Sequence, residues 1–277
     1  MNMEYLTPVL KWVGGKRQLI NKFVPYFPDT PFEMYCEPFL GGGAVLFFLH
    51  PDRAVVNDVN PELINFYSVL KSDCEALIEE LSTYEYNKEF FYTLRNLDRD
   101  AKSFAKLSNL KKAARTYYLN RTCFNGLYRV NSIGLFNSPF GSYKTFNLYP
   151  DRLRMLSSYL NSANVQFTNG DFETLIDYLP DNSFVYLDPP YDPVSKTAFF
   201  TSYSQTGFSK EDQIRLKNFC DRLNERGIRF MLSNSATSFI KELYKDYDQK
   251  FFNANRSINS KATNRGGVKE ILVRNYK

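Results

Sequence analysis

The sequence predicts an α/β fold built on a doubly wound, mostly parallel sheet that carries one insert. Short apolar runs such as Ser183–Leu187 have the length and composition of buried parallel strands. Such strands alternate with runs of helical spacing on both sides of a long helical segment, residues 62–120. A glycine-rich turn follows an early strand and precedes a helix, which is the order found in doubly wound sheets.

The spacing of apolar residues places the individual elements. Beyond the helical segment 62–120, helices are predicted over residues 18–26, 44–49, 151–160, 172–179, 209–226 and 236–247. Ser209, with Asp212 three residues later, is a good N-cap for the helix that Gly227 ends. Strands are predicted before the glycine turn and near residues 53–58, 164–168, 184–187, 228–232, 250–252 and 270–275. We expect residues 1–60 and 146–277 to form the sheet domain and residues 61–145 the insert.

The second half of the insert changes character. Residues 123–131 and 135–144 flank the short turn Ser132-Ile133-Gly134 with alternating aromatic side chains, a pattern that predicts a β-hairpin. The polar side chains of this segment include Asn, Arg, Tyr and Lys, which can contact the base edges or phosphates of nucleic acid. The same pattern also fits an ordinary surface hairpin, and it leaves both interpretations open.

Composition excludes several classes of protein. The 277 residues are 43% hydrophobic, as expected of a globular protein with a sizeable core. No apolar run approaches the ~20 residues of a membrane span, and the first residues lack the pattern of a signal peptide. The four cysteines lack CxxC spacing, so we expect free thiols in a reducing cytoplasm, without a zinc site. The single histidine cannot supply a metal site with two imidazoles, and a net charge of +5 mildly favours polyanionic partners.

Two glycine motifs lie near the amino terminus. Gly14-Gly15-Lys16 is not a Walker phosphate loop, because Leu10 stands where that loop needs its first glycine. Gly41-Gly42-Gly43 lacks the last glycine of the dinucleotide fingerprint, where this chain has Leu46, which argues against a nicotinamide dehydrogenase. The next predicted strand ends in Asp58, a position from which a carboxylate binds ribose hydroxyls in related folds.

The stretch Asp188-Pro189-Pro190-Tyr191 is the main candidate for a catalytic site. Prolines cannot donate to a sheet ladder, so the apolar strand must stop with Asp188 at its carboxyl end. Ligands bind at that end of the strands in open α/β sheets. Taken alone, the stretch also fits a proline turn that merely closes a strand.

Three segments in this order resemble the Dam family of DNA adenine-N6 methyltransferases of bacteria and phages (D12 class, class alpha). They are Lys11-Trp12-Val13-Gly14-Gly15-Lys16, Glu37-Pro38-Phe39-Leu40-Gly41-Gly42-Gly43 and Asp188-Pro189-Pro190-Tyr191. Residues 124–131 resemble the target-reading element of that family, and residues 256–258 are also similar to it. The likeness covers nearly the whole chain.

The resemblance implies a methyltransferase (Rossmann-like) sheet that uses S-adenosyl-L-methionine, releases S-adenosyl-L-homocysteine and needs no metal. It implies that the insert is a target-recognition domain for double-stranded DNA, with GATC as the target. The residues expected at the cofactor are Trp12, Lys16, Glu37, Pro38, Phe39, Gly41, Gly43, Asp58 and Asp188. Those expected at DNA are Lys11, Phe124, Asn125, Leu127, Arg129, Asn131, Pro139, Tyr143, Lys144, Arg256 and Arg265. Ser138 and Ser142 depart from the Val and Arg common in that family, so we expect altered recognition of the target.

Methyl transfer to an exocyclic amine requires both N–H groups to be held, since this turns the nitrogen lone pair towards the methyl group. Asp188 and the Pro189 carbonyl can each accept one N–H, Pro190 keeps that carbonyl rigid, and Tyr191 offers a flat face to an extruded base. No cysteine follows a proline, which argues against cytosine-C5 chemistry. The remaining alternatives are methylation of RNA adenine or of cytosine N4, and a DNA-binding module without activity. We expect a monomer, with a restriction endonuclease as a candidate partner.

Overall fold

The computed structural model describes residues 6–12, 14–194, 208–254 and 268–277, and the structural statements below concern this part of the chain. Its strands are β1 (Met34–Glu37), β2 (Ala54–Asp58), β3 (Val165–Asn169), β4 (Ser183–Leu187), β5 (Arg229–Ser235), β6 (Asp248–Ala254) and β7 (Val268–Arg274). Its α-helices are α1 (Ile20–Phe23), α2 (Leu46–Leu49), α3 (Pro61–Ser72), α4 (Cys74–Ser82), α5 (Lys88–Asn96), α6 (Ala101–Ala105), α7 (Asn109–Thr122), α8 (Pro150–Ser162), α9 (Lys210–Glu225) and α10 (Ser238–Leu243). None of the helices described is long and apolar enough to span a membrane.

The strands form one sheet in the order β3-β2-β1-β4-β5-β7-β6. The pairs β2–β3, β1–β4 and β4–β5 are parallel, whereas β7 runs antiparallel to both β5 and β6. The order of the first five strands is that of a doubly wound sheet. The predicted α/β fold with a mostly parallel sheet is therefore confirmed.

The described part of the chain divides into two compact units, of which the first comprises residues 6–12, 14–17 and Leu40–Asp171. Within it, α3 contacts α7 and α8, and the ring of Phe66 stacks on that of Tyr117 with centroids 5.6 Å apart. The predicted division into a sheet domain and a recognition insert concerns function as well as packing, and it stays a prediction.

The second unit comprises, among the described residues, Gln18–Phe39 and residues 172–194, 208–254 and 268–277. All five residues of β4 are buried, as their apolar sequence predicts. Helix α9 contacts β5 and buries Leu216 and Phe219 completely. Its predicted cap at Ser209 is present as a reciprocal pair of hydrogen bonds with Asp212.

Several predicted helices are shorter than expected. Residues 172–179 form a 3-10 helix, Phe172–Tyr178, which ends one residue earlier than predicted because Pro180 disfavours helical backbone at Leu179. Helix α10 begins two residues later than predicted, because Thr237 caps it by accepting the N–H of Ile240. Helix α2 begins at Leu46 and not at Ala44, since the glycine loop extends further than its sequence suggests.

The predicted hairpin in the insert is formed only in part. Val130 pairs with Phe136, and Cys123 pairs with Phe140, as isolated antiparallel bridges. Asn125 has a φ of 57° within a short 3-10 turn. This turn interrupts the extended backbone that a continuous antiparallel ladder requires.

Removal of the α9 cap should destabilise the fold. Ser209→Ala deletes the acceptor for the Asp212 N–H, so we expect the free energy of unfolding to fall by about 1 kcal/mol in urea denaturation. Glu211→Gln, an exposed change in the same helical turn, is the control and should alter it by less than about 0.5 kcal/mol. Equal losses in the two variants would contradict a capping role.

Candidate active site

A desolvated carboxylate fixes the glycine loop after β1. Asp58, at the end of β2, accepts the backbone N–H of Gly41 with Oδ2 and that of Asn60 with Oδ1, both at 2.9 Å. Gly41 and Gly43 have φ values of 49° and 68°, which residues with a side chain rarely adopt. Desolvation raises the pKa of Asp58, although the two N–H donors act in the opposite direction. A carboxylate oxygen can accept more than one hydrogen bond, so this side chain also suits a ribose diol.

Trp12 lies directly against this loop. A Cβ built on Gly41 would be 2.8 Å from Trp12 Cδ1, so the indole fills the space that a side chain would need. The same indole stacks on Tyr128 of the insert, with centroids 5.1 Å apart and planes 25° from parallel. Lys16 is buried, and its Nζ donates to the carbonyl of Gly14 at 2.6 Å. The first predicted motif therefore supports the glycine loop from the side of the insert.

An aromatic cluster surrounds Phe39 in the second unit. Its half-buried ring lies 5.4 Å from the ring of Phe172 and 5.8 Å from that of Phe208, measured between centroids. Phe172 and Phe208 are not among the residues predicted at the site. The sequence signal for Phe172 is the acid and aromatic pair Asp171-Phe172, two residues after the end of β3, whereas Phe208 has no such signal. Glu37 is buried and accepts the hydroxyl of Tyr35 at 2.9 Å, and Pro38 is also buried.

The candidate catalytic loop follows β4. Asp188 is half-buried, and Ser233 of β5 donates from Oγ to Asp188 Oδ1 at 2.8 Å. Gln213 of α9 donates from Nε2 to the carbonyl of Pro190 at 2.9 Å. Pro189 is buried, and both prolines lack an N–H, so the loop presents acceptors and few donors.

The far end of this loop is held by β7 and β5. The Tyr191 hydroxyl donates to Glu270 Oε2 at 3.1 Å, and the N–H of Asp192 donates to Asn234 Oδ1 at 3.0 Å. Burial raises the pKa of Tyr191 well above its usual range, and the negative charges of Asp188 and Glu270 raise it further. Tyr191 is therefore a neutral ring with a tethered hydroxyl.

Lys11 and Tyr143, two predicted DNA-binding residues, come together in the first unit. Lys11 Nζ lies 4.4 Å from the centroid of the Tyr143 ring and 3.2 Å from its hydroxyl. The backbone of Lys11 is fixed by Asn120, which accepts its N–H at 2.8 Å and donates to its carbonyl at 2.7 Å. Gly126 leaves room for the Lys11 side chain, because a Cβ at that position would overlap it.

Most of the remaining predicted DNA-binding side chains lie along the partial hairpin. Those that are exposed are Phe124, Asn125, Arg129, Pro139 and Lys144. Those that are half-buried are Leu127 and Asn131. Arg256 and Arg265 lie outside the described residues.

Buried hydrogen bonds stabilise the partial hairpin. Ser138 is buried, and its hydroxyl donates to the carbonyl of Leu127. The N–H of Phe136 donates to Asp98 Oδ2 at 2.9 Å, and the same oxygen pairs with a buried arginine of α7 at 2.8 Å. Of the two departures from the family pattern, Ser138 acts inside the hairpin and Ser142 is exposed at its surface.

The doubly wound sheet, the acid-held glycine loop and the Asp-Pro-Pro-Tyr loop define the class of protein as an S-adenosyl-L-methionine-dependent amino-methyltransferase. The chain belongs to the D12 class N6 adenine-specific DNA methyltransferases, whose family model matches residues 12–258. It is therefore an enzyme that methylates adenine N6 in DNA, which confirms the predicted family and reaction. This membership argues against the RNA, cytosine-N4 and non-enzymatic alternatives.

Curated relatives match along almost their whole length. Type II methyltransferase M1.LlaDCHI of Lactococcus lactis subsp. cremoris is 44% identical, over 99% of this chain and 97% of its own. Type II methyltransferase M.MjaIII of Methanocaldococcus jannaschii is 40% identical, over 97% and 99%. A DNA adenine methylase of Vibrio cholerae is 35% identical, over 95% and 94%. The monomeric state, the cytoplasmic location and a partner restriction endonuclease stay predictions.

A methyl group on the glycine loop should weaken cofactor binding. Gly41→Ala sets a Cβ against Trp12 and imposes a φ of 49° on alanine, so we expect affinity for S-adenosyl-L-methionine, measured by calorimetry, to fall at least about tenfold. Gly227→Ala is the control, because it shares a positive φ of 71° but has open space around it. It should lower stability and leave the affinity within about twofold of wild type. Wild-type affinity in Gly41→Ala would contradict the role of the loop.

Proposed function

We propose that this enzyme methylates the adenine of GATC in double-stranded DNA, with Asp188–Tyr191 as its catalytic loop. The observation that carries the proposal is a carboxylate held by Ser233 at the end of β4, next to a proline carbonyl that has no competing N–H. GATC as the target rests on the resemblance of residues 124–131 to the Dam family.

The loop holds the target amine. Asp188 accepts one N–H of adenine N6, and the main-chain carbonyl of Pro189 accepts the other. Together they draw the lone pair of N6 out of conjugation with the purine and aim it at the methyl group. S-adenosyl-L-methionine would supply that methyl group on a positively charged sulfur and leave as neutral S-adenosyl-L-homocysteine. The positive charge passes to N6, which then releases one of its two protons to water to give N6-methyladenine. Because prolines stiffen the loop, little orientation entropy is lost at the moment of transfer.

Tyr191 receives the purine ring. The target base must leave the duplex before its amine is accessible to the loop, and a flat side chain stabilises an extruded base by stacking. The hydrogen bond from the Tyr191 hydroxyl to Glu270 restricts rotation of the phenol. A ring fixed in this way binds the base in one orientation, which suits a reaction at a single nitrogen.

The cofactor residues fit the group they would hold. Asp58 would accept the ribose hydroxyls, and Gly41 and Gly43 would let backbone approach the cofactor closely. Phe39 would supply an aromatic face, and Glu37 and Pro38, the two residues before it, are buried. Trp12 and Lys16 would support the glycine loop, Trp12 by its contact with Gly41 and Lys16 by its hydrogen bond to the carbonyl of Gly14.

The insert would read the duplex. Arg129 is exposed and has the two-pronged donor geometry that recognises guanine, while Phe124 and Leu127 offer apolar surface for a thymine methyl group. The paired Lys11 and Tyr143 would contact the strand that carries the target. Asn125, Asn131, Pro139, Lys144, Arg256 and Arg265 are proposed as further DNA contacts.

Sequence preference can be measured with matched duplexes. We expect label from tritiated S-adenosyl-L-methionine to appear in N6-methyladenine, and a single base change within GATC to slow transfer at least about tenfold, since one base contact contributes roughly 1–3 kcal/mol. Duplexes changed only outside GATC are the control and should react at the unchanged rate. Equal labelling of all duplexes would overturn GATC as the target, and label on cytosine would overturn the catalytic assignment.

Loss of the carboxylate should abolish transfer without abolishing DNA binding. We expect Asp188→Ala to lower kcat by about a thousandfold or more, because the amine loses its acceptor, and duplex affinity to stay within about threefold of wild type. Asp181→Ala is the matched control, an exposed aspartate beside the amino end of β4, and it should remain active. An active Asp188→Ala enzyme would rule out this role.

A further inference from the structure

We propose that Tyr186 and Ser233 are positioning residues for methyl transfer, forming a buried relay of hydroxyl groups that ends on Asp188. This inference rests on the proposed function of Asp188. The relay fixes Asp188 Oδ1 and thereby sets the direction in which Oδ2 points. Ser233 acts through Asp188 and does not itself touch the adenine.

Sheet geometry brings the three side chains to one face. Tyr186 and Asp188 are two residues apart on one chain, so their side chains lie on the same side of the sheet. Strands β4 and β5 are parallel, and their last paired residues are Leu187 and Leu232. Ser233 follows directly, beside Asp188. The hydroxyl of Tyr186 lies 3.1 Å from Ser233 Oγ, which in turn lies 2.8 Å from Asp188 Oδ1.

The number of hydroxyl protons determines which group donates and which accepts in each hydrogen bond of the relay. An ionised carboxylate has no proton to donate, so Ser233 must give its single hydroxyl proton to Asp188. The Ser233 oxygen can then only accept from Tyr186. Burial raises the pKa of Tyr186 well above its usual range, and the charge of Asp188 raises it further, so the phenol keeps its proton as this direction requires. Tyr186 and Ser233 are both fully buried, so their hydroxyl groups have little access to bulk water.

The relay explains why β5 carries a polar residue where the sheet is buried. A buried hydroxyl group adds nothing to apolar packing and is costly to leave without partners. The register of β5 is already determined by its pairs with β4 on one side and β7 on the other. The Ser233 hydroxyl therefore serves the polar groups around it, and its 2.8 Å hydrogen bond to Asp188 lies at the point where the proline loop leaves the sheet.

The test measures kcat separately from substrate binding. We expect Ser233→Ala to lower kcat on a GATC duplex by about 10- to 100-fold, because a carboxylate that has lost this hydrogen bond samples more unproductive directions. The dissociation constants for duplex and S-adenosyl-L-methionine should stay within about twofold of wild type. Ser183→Ala is the matched control, because it removes a buried hydroxyl bonded to the Pro180 carbonyl at the opposite end of β4. It should keep kcat within about twofold of wild type.

The Tyr186→Phe variant, alone and combined with Ser233→Ala, tests whether the two hydroxyl groups act on kcat through one relay or independently. We expect this variant alone to lower kcat by about two- to fivefold and the Tyr186→Phe/Ser233→Ala double variant to lose no more than Ser233→Ala alone. The double variant also avoids leaving the Tyr186 phenol buried without its partner, so it serves if Ser233→Ala folds poorly.

Each outcome separates this inference from the proposed function. If Asp188→Ala is inactive while Ser233→Ala retains wild-type kcat, the relay is overturned and the role of Asp188 stands. Losses that simply add in the double variant, or a loss confined to substrate binding, would also overturn the relay. An active Asp188→Ala enzyme would overturn the proposed function itself. A fall in kcat with unchanged binding and no additivity supports the relay.

Discussion

The chain that follows β4 contains two prolines and cannot continue the backbone hydrogen bonds of the sheet. The candidate active site depends on this constraint. Pairing between β4 and β5 stops at Leu187, directly before the catalytic loop. Beyond that residue, Pro189 and Pro190 offer no N–H to a neighbouring strand. Side chains from other elements therefore replace the backbone ladder, and the hydrogen bond from Ser233 to Asp188 is the first of them. The same absence of donors leaves the carbonyl of Pro189 suited to accept a hydrogen bond from a substrate amine.

The glycine loop follows a related principle. Glycines allow positive φ values and close approach, but they supply no side chains to hold the loop in one conformation. Asp58 provides an acceptor for the Gly41 N–H, and Trp12 fills the space beside it. Both candidate ligand sites are thus backbone segments of unusual composition, each fixed by a carboxylate or a hydroxyl from a neighbouring segment. The stack of Trp12 on Tyr128 further links the glycine loop to the insert.

Local patterns allowed much of this structure to be predicted. The apolar run of β4, the acid at the end of β2 and the cap at Ser209 are each encoded within a few neighbouring residues. The residues that hold the catalytic loop are not encoded within a few neighbouring residues. Ser233 lies 45 residues beyond Asp188 in the sequence, and Glu270 lies 79 residues beyond Tyr191, so only the sheet order brings them together. The local sequence also does not predict that the hairpin is only partly formed. Alternating aromatic side chains predict extended backbone and do not reveal the turn at Asn125.

A crystal structure of the enzyme with a GATC duplex and S-adenosyl-L-homocysteine would test the central claim most directly, because it would reveal the contacts of the target amine. We expect the target adenine to lie outside the duplex and against Tyr191, with N6 within about 3 Å of Asp188 and of the Pro189 carbonyl oxygen. An adenine still stacked in the duplex, or an amine bound by other side chains while Asp188 faces away from it, would contradict the account.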